Sequence, residues 1–166
     1  MIVNIPLILK QKSRYDEPES LIGLTLENPL KGYEKLLEFK ATLPKELYAY
    51  WLRTLWKMNT NGLSPSLSLQ LFSDVSPEDL MYEDELEAIK NFEDVITIYR
   101  GTDKTESVPL MSWSMRKDIA SQSHFARGRL FVARIPKTKV IMYISHDGDE
   151  EEIVAYVESG FEIIDD

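Results

Sequence analysis

Residues 95–101 read Val95-Ile96-Thr97-Ile98-Tyr99-Arg100-Gly101, and the chain changes its grammar there. A run of β-branched and aromatic residues closed by a glycine is the mark of a strand, here expected over 95–99. Further runs of this kind follow at 108–111, 130–135, 140–144, 153–157 and 161–164. Between the second and third, residues 117–126 read as one helix, with Ser114 ahead of it as a cap. Residues 93–166 are therefore expected to form a compact β-rich unit.

Before residue 93 the apolar residues recur at intervals of three and four, which predicts helices, separated here by proline-marked breaks. Leu36, Leu37 and Phe39, then Tyr48, Tyr50, Trp51, Leu52, Leu55 and Trp56, line a broad apolar face, with Lys45, Glu46 and Arg53 kept toward water. Ser76 followed by Pro77 predicts a helix start, because serine accepts orphan amide bonds and proline suits the first turn. That helix is expected to run to about Phe92, its acids Glu78, Asp79, Glu83, Asp84, Glu85 and Glu87 forming a solvated face. No repeat, low-complexity tract or Gly/Ser linker marks the join. The expected class is α+β, one domain over 1–166 in which a helical lobe, 1–92, packs on a β-rich core, 93–166.

The chain has 166 residues, long enough to bury roughly two thirds of the surface its unfolded form exposes, so no metal or disulfide is needed to hold it together. Cysteine is absent, which excludes thiol catalysis and a disulfide framework. With two histidines, His124 and His146, zinc would have to be held almost wholly by carboxylates, so a zinc fold is excluded. A net charge of −9 repels phosphate backbones, and no basic patch offsets it, so direct nucleic-acid binding is not expected. The apolar start, 1–9, is interrupted by Asn4 and Pro6 and has no basic flank before it, and no stretch approaches the ~18 apolar residues of a membrane span. A soluble protein that works without the membrane is the expectation.

Three features of the β-rich half exceed what a structural sheet requires. Arg100 ends an apolar strand and is followed by Gly101, a fork suited to phosphate beside a backbone a ligand can approach closely; taken alone, such an arginine usually pairs with a carboxylate. In Ser112-Trp113-Ser114, alternation puts both hydroxyls on one face and the indole on the other. Glu150-Glu151-Glu152 follows the turn Asp147-Gly148-Asp149 and leads into Ile153-Val154. Glu150 and Glu152 share a face, where one carboxylate can steady positive charge while the other handles a proton; taken alone, the motif is better read as a solvated acidic turn.

Taken in order, Tyr99-Arg100-Gly101, Ser112-x-Ser114, a helix with Ala120 and Phe125, Gly128-Arg129-Leu130 leading to Ile135-Pro136, and Glu150-x-Glu152 before Ile153-Val154 resemble the mono-ADP-ribosyltransferases of the arginine-serine-glutamate class. That group includes the clostridial binary toxins and the arginine-specific enzymes. The resemblance covers about residues 93–166, and the helical half matches in architecture alone. It implies an ADP-ribosyltransferase-like fold with NAD as co-substrate. Arg100 would hold a phosphate and ribose of NAD, and Gly101 would let the nicotinamide amide meet the backbone. Ser112 would brace the nicotinamide ribose and the catalytic Glu152, with Ser114 beside it in the cofactor site. Glu152 would bond the ribose 2′-hydroxyl and stabilise the oxocarbenium ion, as carboxylates do in glycoside cleavage. Glu150 would orient or deprotonate the acceptor, Phe125 would stack on nicotinamide and Arg127 would make a second phosphate contact. For Phe125 the alternative is helix core; for His124, helix surface or core.

Two departures stand out. Trp113 occupies the place of the family's middle threonine, and the interval from Arg100 to Ser112 is short, reduced to a turn around Asp103 and Lys104. Residues 145–149 would be the target-recognition loop, with His146 as its bulky polar tip. A Glu-x-Glu pair rather than Gln-x-Glu implies arginine as the acceptor in a protein substrate. Two alternatives stay open: an NAD glycohydrolase, in which water replaces the acceptor, and an inactive member of the fold kept as an acidic protein-binding module. Without a secretion signal or translocation domain, the expected setting is the cytoplasm of the producing or a host cell, as a phage protein acting on host proteins, an intracellular toxin or a delivered effector.

Overall fold

A computed structural model describes residues 18–60, 62–103, 111–122, 128–146 and 151–164. The chain divides into two compact units, the first ending at Glu83 and the second starting at Asp84. Among the described residues the first unit is helical: α1 (Pro18–Glu27), α2 (Pro29–Phe39), α3 (Lys45–Met58), α4 (Pro65–Phe72) and α5 (Pro77–Leu80). Helix α6 (Glu83–Asn91) straddles the division and lies almost wholly in the second unit. The division thus falls ahead of the join at residue 92 read from the sequence, where β-rich grammar begins.

Helix starts in the first unit follow cap chemistry. Asn28 and Ser64 sit in extended backbone, and their side-chain oxygens accept from the amides of Lys31 and Leu67, with Pro29 and Pro65 in the first turn. Helix α3 carries the core of this unit, burying Leu47, Tyr48, Trp51, Leu52, Leu55 and Trp56, while Lys45 and Glu46 face water. Tyr50, Leu37 and Phe39 are half-buried at the margin of that face. Gly32 of α2 is required by its neighbour: a Cβ there would lie 1.9 Å from Thr25 Oγ1 and 2.8 Å from Thr25 Cα.

Three expectations for this region are corrected. Arg53 is not left toward water; its Nη1 donates to the Leu80 carbonyl at 2.9 Å and its guanidinium lies over the Tyr82 ring. The helix predicted from Pro77 to Phe92 is two helices, broken at Met81, whose backbone is extended. At the break the Leu80 carbonyl accepts from Arg53, and Leu80 and Met81 are both buried. Ser76 makes no side-chain cap, because its hydroxyl is bonded to the Glu78 carboxylate instead.

The second unit is a six-stranded antiparallel sheet: β1 (Val95–Asp103), β2 (Ser112–Ser114), β3 (Gly128–Pro136), β4 (Met142–Ile144), β5 (Glu152–Val154) and β6 (Phe161–Ile164), in the order β4-β5-β2-β1-β3-β6. A short helix, α7 (Lys117–Ala120), follows β2, and a 3-10 turn (Lys137–Lys139) separates β3 from β4. The α+β class is as expected. β1 runs past Tyr99 because it stays in register with β3 to the pair Asp103 and Gly128, so Arg100 and Gly101 lie inside the strand rather than at its end. β2 begins at Ser112; of the run 108–111, residues 108–110 lie outside the described residues and Met111 sits in a bend. β5 is displaced from 153–157 to Glu152–Val154, and Ala155 turns its amide to the Met111 carbonyl at 2.9 Å. The helix expected over 117–126 is described as far as Ala120, beyond which Ser121 and Gln122 form a turn.

Period-2 burial is plain in the two long strands. Ile96 and Ile98 of β1 and Phe131, Ala133 and Ile135 of β3 are buried, while the residues between them are half-buried or exposed. Trp113, Ile153 and Tyr143 continue that face across β2, β5 and β4. Phe131 and Phe161 extend it to β6 with an edge-on ring contact at 5.3 Å.

Candidate functional site

The ladder brings the sequence-predicted residues of three strands together. β2 lies between β1 and β5, with Ser114 opposite Tyr99 on one side and opposite Glu152 on the other. Residues paired across a ladder share a face, so Ser112, Ser114 and Glu152 stand on one side of the sheet and Trp113 on the other, as alternation predicts. Ser112 Oγ donates to Glu152 Oε1 at 2.6 Å, and Arg100 Nη1 donates to the Ser112 carbonyl at 2.6 Å. Arginine, serine and glutamate are thus linked end to end through Ser112. Both bonds are short, as expected when one partner carries charge.

Alternation along β1 assigns Arg100 to the Trp113 face, and its guanidinium reaches the Ser112 backbone from there. An arginine projecting freely from a strand end, as the sequence suggested, is therefore not what the fold provides. The guanidinium braces β2 through this bond. Gly101 lies opposite Leu130, half-buried.

An open hollow of about 330 Å³, part of it continuous with solvent, lies over this junction. Tyr99, Arg100, Gly101, Ser112, Trp113 and Ser114 line it from the strands, with Ile119 and Ala120 of α7 on the far side. Glu152 adjoins it through Ser112. Ser114, nearly buried, accepts from the Arg116 amide at 3.0 Å, so its hydroxyl holds the turn ahead of α7; it is not the cap read from the sequence, since the N-cap is Arg116 and no side chain caps the helix. Arg116 in turn grips both carboxylate oxygens of Asp118, at 3.2 and 2.6 Å, which holds that carboxyl below its ordinary range. Phe125, Arg127, Glu150 and His124 lie outside the described residues.

The approach to Glu152 holds groups the sequence did not single out. Glu151 has a left-handed backbone, φ +45°; its carbonyl accepts from the Met115 amide and its carboxylate from the Tyr143 hydroxyl, both at 3.1 Å. Burial, reinforced by Glu151, pushes the Tyr143 hydroxyl up to about 12, so it remains a donor through neutral pH. Glu85, read from the sequence as solvated, is fully buried, and its Oε1 accepts from the Ser145 amide at 2.9 Å. His146 is not a bare loop tip: Nε2 lies 2.6 and 2.8 Å from the two oxygens of Asp84, whose carboxyl that bond holds below its ordinary value. Of residues 145–149, expected from the sequence to form a target-recognition loop, Ser145 and His146 are described, and both are tied to the start of α6. The acidic run at 83–87 carried no sign of this, since a periodicity argument assigns faces of a helix but not the strand end that will meet them.

No protein-family model, curated protein or solved structure matches this chain. Among the described residues, no helix is long and apolar enough to cross a membrane.

Proposed function

We propose that the protein is an NAD-dependent mono-ADP-ribosyltransferase that modifies a protein, with arginine as the acceptor. One observation carries this reading: the line from Arg100 through Ser112 to Glu152, closed by two 2.6 Å hydrogen bonds beside an open hollow. A cation, a hydroxyl and a carboxylate in that order suit a dinucleotide that presents a diphosphate, a ribose and a glycosidic bond.

NAD supplies a ribose C1′ whose leaving group is nicotinamide. Glu152 would accept the ribose 2′-hydroxyl proton in a hydrogen bond and face the positive charge that develops as the C1′–N bond breaks. Ser112 orients that carboxylate with its hydroxyl, and Arg100 fixes Ser112 through its carbonyl while offering positive charge to the diphosphate. The bonding pair leaves with nicotinamide, a nitrogen of the acceptor guanidinium bonds to C1′, and the acceptor's proton passes to a base. Glu150 is the proposed base, from its place in the Glu-x-Glu pair. A host protein is the proposed acceptor and the cytoplasm the proposed site of action.

The test is transfer of label from biotinylated NAD to proteins of a bacterial lysate, wild type against Glu152→Gln, with released nicotinamide followed in parallel. Labelled bands that vanish in the variant are expected, and they deliver the target for mass spectrometry. Nicotinamide release without labelling would replace the transferase with a glycohydrolase. Absence of both would overturn the reading.

A further inference from the structure

Glu152 is the first residue of a three-residue strand, paired with Ser114 on one side and Ile144 on the other, and the chain enters both ladders from Glu151. Glu151 holds a left-handed backbone, which a side-chain-bearing residue keeps only when its surroundings impose it. Two bonds do so from opposite sides: the Met115 amide, at the far end of β2, takes the Glu151 carbonyl, and the Tyr143 hydroxyl takes its carboxylate. Tyr143 is itself immobilised. It is buried, pairs with Ile153 in the β4–β5 ladder and meets the Phe92 ring edge-on at 5.2 Å.

We propose that Tyr143 and Glu151 are positioning residues, which hold the backbone ahead of β5 so that the Glu152 carboxylate meets Ser112. The residue between the two glutamates is then a fixed post rather than a spacer. Glu151 lies on the Tyr143 face and Glu152 on the Ser112 face, so a single residue step carries the constraint through the sheet. The loss of one hydroxyl on the far face, remote from the hollow, lets Glu151 relax and turns Glu152 away from Ser112. What Glu152 does once aimed rests on the transferase reading; the aiming itself does not.

The experiment compares wild type with Tyr143→Phe, Glu151→Ala and Glu151→Gln in purified full-length protein, by nicotinamide release from NAD and by crystal structure. Tyr143→Phe and Glu151→Ala are expected to lower kcat about tenfold with KM for NAD nearly unchanged, the signature of misaligned machinery rather than lost binding. Glu151→Gln, whose amide oxygen still accepts the tyrosine proton, is expected to restore most of the rate. In the two impaired variants the Ser112 to Glu152 distance is expected to open beyond hydrogen-bonding reach. A merely structural contact would lower stability and leave the kcat of folded protein intact, and wild-type kcat with the Ser112–Glu152 bond retained would overturn the proposal. If the wild type releases no nicotinamide, the transferase reading fails. The crystal structures then decide the positioning on their own: an opened Ser112–Glu152 contact supports it, an unchanged one overturns it.

Discussion

The two units dispose of their polar side chains in different ways. In the helical unit, Tyr48, Tyr33 and Arg53 end on the backbone carbonyls of Leu71, Asn59 and Leu80, at 2.8, 2.9 and 2.9 Å. Each such bond joins one helix to the end of another segment and leaves nothing that titrates near neutral pH; burial even raises the Tyr48 hydroxyl further from it. In the sheet unit Arg100 also ends on a backbone carbonyl, but four further donors meet carboxylates: Glu152 for Ser112, Glu151 for Tyr143, Glu85 for the Ser145 amide and Asp84 for His146. The first three of these bonds are part-buried, and carboxylates so held are poor investments in stability and useful ones in chemistry, because each fixes an acceptor in place. The first arrangement builds a scaffold and the second a candidate site.

If that contrast is right, changes along the Ser112–Glu152 line should move activity and changes in the helical unit should move stability. The largest effect is expected from Ser112→Ala, which severs the hydroxyl link to Glu152 while keeping the backbone carbonyl that Arg100 holds. NAD turnover should fall about a hundredfold, with a thermal midpoint close to wild type. A variant that unfolds instead would turn the serine into a structural residue and erase the contrast.

Gly32→Ala should act in the opposite sense. Alanine gains about 1 kcal/mol over glycine in a helix interior, but the added methyl meets the Thr25 backbone as well as its side chain, and backbone cannot move aside cheaply. A net loss of about 2 kcal/mol is expected from denaturant titration, with the folded fraction keeping its turnover. Tyr48→Phe should cost less, about 1 kcal/mol, since it leaves the Leu71 carbonyl without its buried partner. A neutral result by the same titration would show that water reaches that carbonyl.

The smallest effect belongs to Asp84. His146 holds its folded carboxyl below the ordinary value, so the pair stabilises the fold fully above the usual carboxylate range. That contribution disappears as pH falls through the depressed value, because the unfolded state then binds the proton first. Asp84→Asn should therefore lower the denaturation midpoint at neutral pH by a small amount that added salt shrinks further, and the difference from wild type should close in acid.

Much of this was legible in residue order, and the failures have physical reasons. Alternation in Ser112-Trp113-Ser114 placed the serines opposite the indole correctly, because a strand's side-chain period depends on no other element. The six runs of strand grammar all fall on or beside strands where they are described, but their ends shifted, since ends are set by partners: β3 carries β1 on to Asp103. The same dependence hid Glu85. Its acidic neighbours suggested water, and only the fold brings the Ser145 amide to it. Arg100 and Ser112 were legible as types and positions, whereas the bond from guanidinium to the serine carbonyl, which decides what the arginine braces, exists only once β1 and β2 pair. Glu151 was passed over because a left-handed backbone at a glutamate leaves no mark in sequence.

The central claim is that Glu152, linked through Ser112 to Arg100, cleaves the glycosidic bond of NAD. The most direct measurement is the rate of nicotinamide release from NAD by the purified protein, wild type against Glu152→Gln, with circular dichroism confirming that both are folded. Release by the wild type, and a fall of at least about a hundredfold in the variant, is the predicted result. Equal rates in the two proteins, or no release by a folded wild type, would contradict it.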